Sequence, residues 1–143
     1  MDYTITKDDF TVSTDKSKID IVYVHGFLTK SYWSPGVTIE VVTRAMQGSI
    51  CFGIYAGPRQ IGYARIITDK ATFAWVADVF IDENYRGRGL AKWLMETMLA
   101  HPDLRGLRRI LLATKDAHKL YQLCGFVAIS NPERFMIYTP LVV

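Results

Sequence analysis

The chain has little that would tie it to a metal, a membrane or an oxidising compartment. Only two cysteines occur, Cys51 and Cys124. They lie far apart with no spacing suited to zinc or a redox pair, so both are expected as buried free thiols. A reducing, cytoplasmic setting is the default expectation. The three histidines, His25, His101 and His118, show no metal-ligand spacing, and no metal is expected. No apolar run approaches the length of a membrane span. The stretch from Met1 to Phe10 lacks the basic patch followed by apolar residues that marks a secretory leader. Charge of one sign is scarce as well: 17 Lys and Arg against 14 Asp and Glu leave +3. The basic residues Arg86, Arg88, Lys92, Arg105, Arg108 and Arg109 sit among apolar neighbours and form no continuous run. That distribution argues against nucleic acid as a partner and for a small polyanionic ligand.

What is present is a globular composition. Half the 143 residues are apolar (50%) and aromatics make up 13%, enough for one domain with a real core. Residues 1–143 show no repeat, low-complexity stretch or linker. Phe10 to Thr14 alternates as a short strand, and Ser13, Thr14, Asp15 and Ser17 offer caps for a helix over Ile19 to Phe27. After the break at Ser34-Pro35-Gly36, Val37 to Met46 carries Ile39, Val42 and Met46 on one helical face, and Gly48 ends it. Ile50 to Tyr55, Gln60 to Thr68 and Phe73 to Ile81 then read as an antiparallel meander joined by tight turns.

The period changes next. Leu90, Trp93, Leu94, Thr97 and Met98 mark a helix that Pro102 terminates. A strand over Arg109 to Thr114, a helix over Ala117 to Cys124, and terminal strands near Val127 and over Arg134 to Tyr138 complete the reading. The strand, helix, strand order between 73 and 114 requires a crossover, so those two strands are expected parallel and adjacent in an otherwise antiparallel sheet. The fold class is mixed α/β, or α+β.

Chemistry concentrates where the third strand of the meander runs through Asp82-Glu83-Asn84-Tyr85 into Arg86-Gly87-Arg88-Gly89-Leu90-Ala91. The first N–H groups of a helix lack partners and point outward with the positive end of the dipole, and glycines let a ligand approach the backbone. This favours a phosphate-bearing ligand, and Arg86 and Arg88 add positive charge. A nucleoside triphosphate loop would need Gly-Lys-Ser/Thr, and a dinucleotide fold would place its glycines after the first strand. Neither pattern occurs. Asp78 lies in the apolar run Ala74 to Ile81, where an unpaired carboxylate would be costly. It is read as a base or an anchor for a substrate ammonium, or as a structural carboxylate bonded to an arginine such as Arg65.

The segment resembles the GNAT acetyltransferase superfamily, whose pyrophosphate motif is Arg/Gln-x-x-Gly-x-Gly/Ala; Arg86, Gly89 and Ala91 occupy its fixed positions. A second hallmark, Ala-x-x-Leu-Tyr followed by Gly-Phe, recurs as Ala117-His118-Lys119-Leu120-Tyr121-Gln122-Leu123-Cys124-Gly125-Phe126. The resemblance implies the acyl-CoA N-acyltransferase fold, a mostly antiparallel sheet with one parallel, splayed strand pair and flanking helices. It implies acetyl-coenzyme A as cosubstrate, with Val79, Phe80 and Ile81 along its pantetheine arm. Arg86, Gly87, Arg88, Gly89, Leu90 and Ala91 would surround its pyrophosphate. Thr114 stands where the family often has an asparagine bonded to that arm, and Tyr121 where many members place a tyrosine beside the sulfur.

The same resemblance implies transfer of acetyl to a primary amine, expected to be that of a small molecule, with protein lysines or N-termini as alternative acceptors. A non-catalytic acetyl-coenzyme A sensor is the reading from another class. Members of the family it resembles frequently form homodimers, and the sequence leaves open whether this chain does. At neutral pH an alkylamine lies about three units below its pKa, a deficit of roughly 4 kcal/mol that a base or the site must offset. Tyr121 is the candidate general acid for the departing thiolate and Asp78 the candidate base. His25, Tyr32 and Trp33 lie in the segment that resembles the family's variable acceptor-binding region. Gly89→Glu is expected to abolish saturable acetyl-coenzyme A binding in calorimetric titration of a still-folded protein; undiminished binding would remove the turn from the site.

Overall fold

The structure, a computed structural model, describes residues 2–140. Its centre is a six-stranded sheet in sequential order, β1 (Thr4–Lys7), β2 (Phe10–Ser13), β3 (Ile50–Ala56), β4 (Arg59–Thr68), β5 (Phe73–Ile81) and β6 (Arg109–Leu111). Every neighbouring pair is antiparallel except β5 and β6. The expected parallel pair is therefore present, with the crossover helix between its strands. β1 has no counterpart in the sequence reading. All four of its residues are exposed, so no buried face imprints a period on them, and Asp8 at φ +55 supplies the left-handed turn into β2.

Four helices flank the sheet: α1 (Ile21–Leu28), α2 (Ile39–Gln47), α3 (Leu90–Leu99) and α4 (His118–Leu123). α1 starts two residues later than expected because Asp20 caps it, its carboxylate accepting from the Tyr23 N–H at 3.0 Å. Thr38 caps α2 in the same way. α3 stops at Leu99, and Pro102 instead opens a single 3₁₀ turn over Pro102–Leu104, a position where its missing N–H costs nothing.

Two apolar layers fill the faces. Phe52, Ile54, Ile61, Ala64, Ile66, Ala74 and Val76 pack with Leu90, Leu94, Met95 and Met98 of α3. On the opposite face Cys51, Tyr63 and Phe80 pack with Val24 and Leu28 of α1 and with Val42 and Met46 of α2. Cys51 is a buried free thiol as expected, whereas Cys124 is only half-buried.

Two expectations for the C-terminal third need correction. The strand foreseen over Arg109 to Thr114 forms a ladder only to Leu111, because β5 diverges from it beyond Trp75. The terminal strands foreseen near Val127 and over Arg134 to Tyr138 pair with nothing among the described residues; only a 3₁₀ turn at Pro132–Arg134 interrupts the segment.

Packing between β4 and β5 leaves no room at Gly62, which faces Ile81 in the ladder. A Cβ there would stand 2.6 Å from the Phe80 carbonyl oxygen and 2.7 Å from Ile54 Cγ2. Backbone is not a neighbour that gives way, so Gly62→Ala is expected to cost about 1–3 kcal/mol in urea unfolding. A variant within experimental error of wild type would show that the two strands are not in this close register.

Candidate active site

The site forms where β5 leaves its neighbours. Ladder pairing with β6 ends at Trp75 and Leu111, so a wedge opens between the two parallel strands. On the other side of β5, Arg65 pairs with Ala77 and Tyr63 with Phe80. Asp78 and Val79 thus face the single residue Ala64, and Asp78 takes φ +55. This is a bulge with a left-handed residue, a conformation that aspartate tolerates better than most. The extra residue shifts the phase of the strand. Ala74 and Val76 point toward α3 before it, and Val79 and Ile81 do so after it. Asp78 and Phe80 are turned to the α1 side, and backbone groups at the bulge fall outside the ladder.

Asp78 is not a free base. Its Oδ2 accepts from Arg65 Nε at 2.6 Å and its Oδ1 from Trp33 Nε1 at 3.0 Å, while the Arg65 Nη1 donates to Ser49 Oγ at 3.1 Å. Both oxygens are engaged and the side chain is only 11% exposed. This geometry matches the carboxylate expected to pair with Arg65. Its bond to Trp33 was not foreseen, since no spacing rule relates residues 33 and 78.

Beyond Ile81 the chain turns under tight control. The Asp82 N–H reaches the Ile61 carbonyl at 2.7 Å, and its carboxylate caps the 3₁₀ turn Glu83–Tyr85 through Asn84. Tyr23 Oη donates to the other carboxylate oxygen at 3.3 Å. Arg86 Nε bonds the Ile81 carbonyl at 3.3 Å, which points this arginine back along the strand, and Arg88 stacks over the Tyr85 ring at 5.0 Å. Gly87 and Gly89 have φ +78 and +74, and a Cβ at either would meet nothing within 4 Å. Their left-handed backbone explains the glycines, and the open space above them leaves room for a ligand against the chain. Gly89 is the N-cap of α3 with no side-chain capping bond, and the first backbone bond of the helix is Trp93 N–H to Gly89 O at 3.1 Å. The unpaired N–H groups and the room beside them fit a phosphate group.

Burial separates side chains from backbone in the expected cofactor set. Phe80, Ile81 and Leu90 are core side chains, so only their backbone is left for a ligand. Phe80 stacks on Phe27 at 3.8 Å between centroids and 5° between planes. Thr114 Oγ1 accepts from the Ala117 N–H at 3.0 Å and so closes the turn that leads into α4.

Tyr121 sits on α4, half-buried against the α3-side core and edge-on to Phe126 at 5.9 Å. Burial, helped by the neighbouring Tyr32, pushes its phenol up to about 12, so it holds its proton throughout the neutral range. Tyr32 and Trp33 arrive from the turn after α1 and cross the mouth of the wedge. The Lys115 N–H donates to Tyr32 Oη at 3.0 Å, and Trp33 reaches Asp78 on the other strand. The two rings meet edge to face at 5.1 Å. His25 does not join them. Its Nε2 lies 2.9 Å from the Val37 carbonyl and ties α1 to the segment before α2. His118 is exposed on α4, and His101 is buried as the cap of the 3₁₀ turn that follows α3.

Comparisons with known proteins bear on this arrangement of sheet and helices. The acetyltransferase (GNAT) family model covers residues 18–126. The chain belongs to the GNAT acetyltransferase family. A GNAT-family protein of Xanthomonas campestris pv. campestris superimposes with a TM-score of 0.89 at 44% identity, over 94% of this chain and 96% of that one. A Gibberella zeae protein assigned as an acetyltransferase is 29% identical over 139 residues, 81% of this chain and 77% of its own. A soybean histone acetyltransferase is 34% identical over 83 residues, 57% of this chain and 36% of its own length. The glucosamine-6-phosphate N-acetyltransferase of Arabidopsis thaliana shares the fold, with a TM-score of 0.61 at 18% identity. Among the described residues no cluster of His, Cys, Asp and Glu is arranged to hold a metal, and no helix is long and apolar enough to cross a membrane.

The acyltransferase's bulge rests on the Arg65–Asp78 pair, whose side chains are 16% and 11% exposed. Arg65→Met strands a carboxylate out of water and is expected to lower unfolding stability by about 3 kcal/mol. Adding Asp78→Asn, which removes the charge and keeps a residue tolerant of φ +55, is expected to recover part of the loss. Equal stability of all three proteins in urea would show that the pair does not hold the bulge.

Proposed function

We propose that the enzyme transfers acetyl from acetyl-coenzyme A to the primary amine of a small molecule, by direct attack within a ternary complex. The family supplies the reaction class; the observation that carries the acceptor class is the aromatic closure of the wedge. Tyr32 joins the β6–α4 turn through Lys115, and Trp33 joins β5 through Asp78. The two rings, bridging two walls, set aromatic faces over the wedge. Such faces attract an ammonium group, and walls tied together in this way favour a slim amine over an extended peptide, which needs an open groove.

The residues have separable duties in this reading. Backbone N–H groups over Gly87, Gly89 and the start of α3, with Arg86 and Arg88 nearby, hold the pyrophosphate. The coenzyme brings the activated thioester when bound. Backbone groups of Val79 at the bulge face the reacting carbonyl, where a fixed N–H stabilises developing negative charge. Tyr121, protonated because of its burial, supplies the proton to the departing thiolate. Asp78, already committed to Arg65 and Trp33, positions the bulge and the indole and takes no proton. The neutral amine must then arise from partial desolvation among the aromatic rings or by proton loss to water before attack.

A thiol-release assay over panels of small amines and lysine peptides tests the acceptor class. Turnover confined to the small amines is expected; turnover only with peptides overturns it. With an active amine in hand, Tyr121→Phe is expected to lower kcat by about a hundredfold or more with little change in acetyl-coenzyme A affinity. Wild-type kcat/KM is expected to climb between about pH 8 and pH 10 as the alkylamine loses its proton, with no descending limb from a phenol that titrates near 12. A Phe variant with wild-type kcat would take Tyr121 out of the chemistry.

A further inference from the structure

At the mouth of the wedge one positive charge is left over. Asp78 and Arg65 neutralise each other, and Trp33 takes the second carboxylate oxygen, so that pair presents no net charge to an incoming molecule. Lys115 does. It follows β6 in the turn that leads to α4, and its side chain is exposed. Among the described residues its ammonium has no carboxylate within ion-pair distance. It is nevertheless held in place. Its backbone N–H donates to Tyr32 Oη at 3.0 Å, and its Nζ stands 5.6 Å from the centroid of the same ring. A cation over an aromatic face is a favourable arrangement, so one ring fixes both the backbone of Lys115 and the place of its ammonium.

A fixed ammonium at the entrance bears on which amines can enter. The Tyr32 ring already carries one cation, and a second brought to that ring meets like charge. Plain alkylamines and polyamines bring only positive charge into the site. An acceptor that also carries an anionic group cancels the Lys115 charge and gains a charge-assisted hydrogen bond there. The other charge in this turn is the neighbouring Asp116, exposed and without an ion pair among the described residues. It acts on the Tyr121 side, where it adds to burial, Tyr32 and Cys124 in keeping the phenol protonated. The turn thus offers an ammonium over Tyr32 and a carboxylate toward Tyr121, an order of charge that suits a zwitterion with its amine at the reacting end. Of anionic groups, a carboxylate matches best. Phosphate recognition draws on an arginine fork or a long helix N-terminus, whereas Lys115 is a single point charge and α4 has only six residues. A dianion beside Asp116 would also be repelled.

We propose that the acceptor is an amino carboxylate, and that Lys115 selects it by binding the carboxylate at the mouth of the wedge while the amine reaches toward the thioester. This rests on the small-amine reading above and narrows it. Lys115 meets the part of the acceptor that does not react, so it determines specificity and takes no part in the transfer. The transfer itself is unchanged: the amine nitrogen bonds to the acetyl carbon, the carbon–sulfur bond breaks, the departing thiolate takes up a proton and the nitrogen releases one. Loss of the Lys115 charge is therefore expected to act on acceptor binding and to leave the chemical step alone.

Glycine, leucine and γ-aminobutyrate differ from methylamine, isopentylamine and propylamine only by the carboxylate, and comparing wild type with variants cancels differences in amine basicity. Thiol release is expected to show that wild type favours at least one amino carboxylate over its matched amine in kcat/KM. Lys115→Met keeps the apolar stem against Tyr32 and is expected to reduce that preference about tenfold or more, through KM with little change in kcat. Lys115→Arg keeps the charge and is expected to retain most of the preference. Phosphoethanolamine is expected to be a poorer acceptor than the favoured carboxylate. Calorimetric titration of the enzyme–coenzyme A complex with the same compounds reads the preference without turnover, and unchanged coenzyme A affinity in the variants shows that the site is still assembled. Small amines used with no gain from a carboxylate overturn this inference and leave the small-amine reading standing. So does a Lys115→Met variant with the wild-type preference, or phosphoethanolamine as the better acceptor. Turnover confined to lysine peptides, with none of the small compounds bound, overturns both.

Discussion

The left-handed turn of one residue, Asp78, is the constraint on which the site depends. Held by Arg65 on β4 and by Trp33 from the α1–α2 connection, it inserts a residue into β5 and rotates every later side chain by one strand phase. Without that shift Phe80 would face α3 and Ile81 the opposite layer, and neither core would close. With it, Phe80 stacks on Phe27 and the strand enters the Asp82 turn aimed at the start of α3. The same residue therefore sets the core packing of two layers and the direction in which the cofactor turn is presented.

This coupling explains why a charged pair with side chains only 16% and 11% exposed is kept at the bulge. An apolar pair of similar size would pack as well and cost less desolvation. It would not bind the Trp33 indole or occupy φ +55 as readily. The interaction trades stability for geometry: a carboxylate with both oxygens engaged holds a strained backbone and an aromatic lid in one arrangement. That leaves Tyr121 as the titratable group at the wedge whose environment is shifted in a chemically useful direction, toward retaining a proton.

The wedge also connects the site to the edge of the sheet. β6 is short because β5 bends away from it, and that divergence opens the wedge between the two parallel strands. Its consequence is an under-paired final strand next to an apolar tail. The shape of the wedge and the shortness of the last ladder thus have a common origin in the departure of β5 from regular pairing.

The motifs at Arg86 to Ala91 and Ala117 to Phe126, the helical period of α2 and α3, and the crossover that makes β5 and β6 parallel were all determined by the sequence itself. Each depends on residues close together along the chain, through phosphate-binding backbone geometry, amphipathic period or turn chemistry. β1 escaped notice because an exposed ribbon carries no buried period, and the terminal strands were foreseen from propensity alone, which cannot provide a neighbour. Only the tertiary structure decided that Asp78 is bound on both oxygens, that His25 braces a turn, and that Tyr32 and Trp33 meet Lys115 and Asp78 across the wedge. These contacts join residues up to 83 positions apart. They depend on where the bulge turns a strand, and that is settled by packing on both faces of the sheet and by no local pattern of residues.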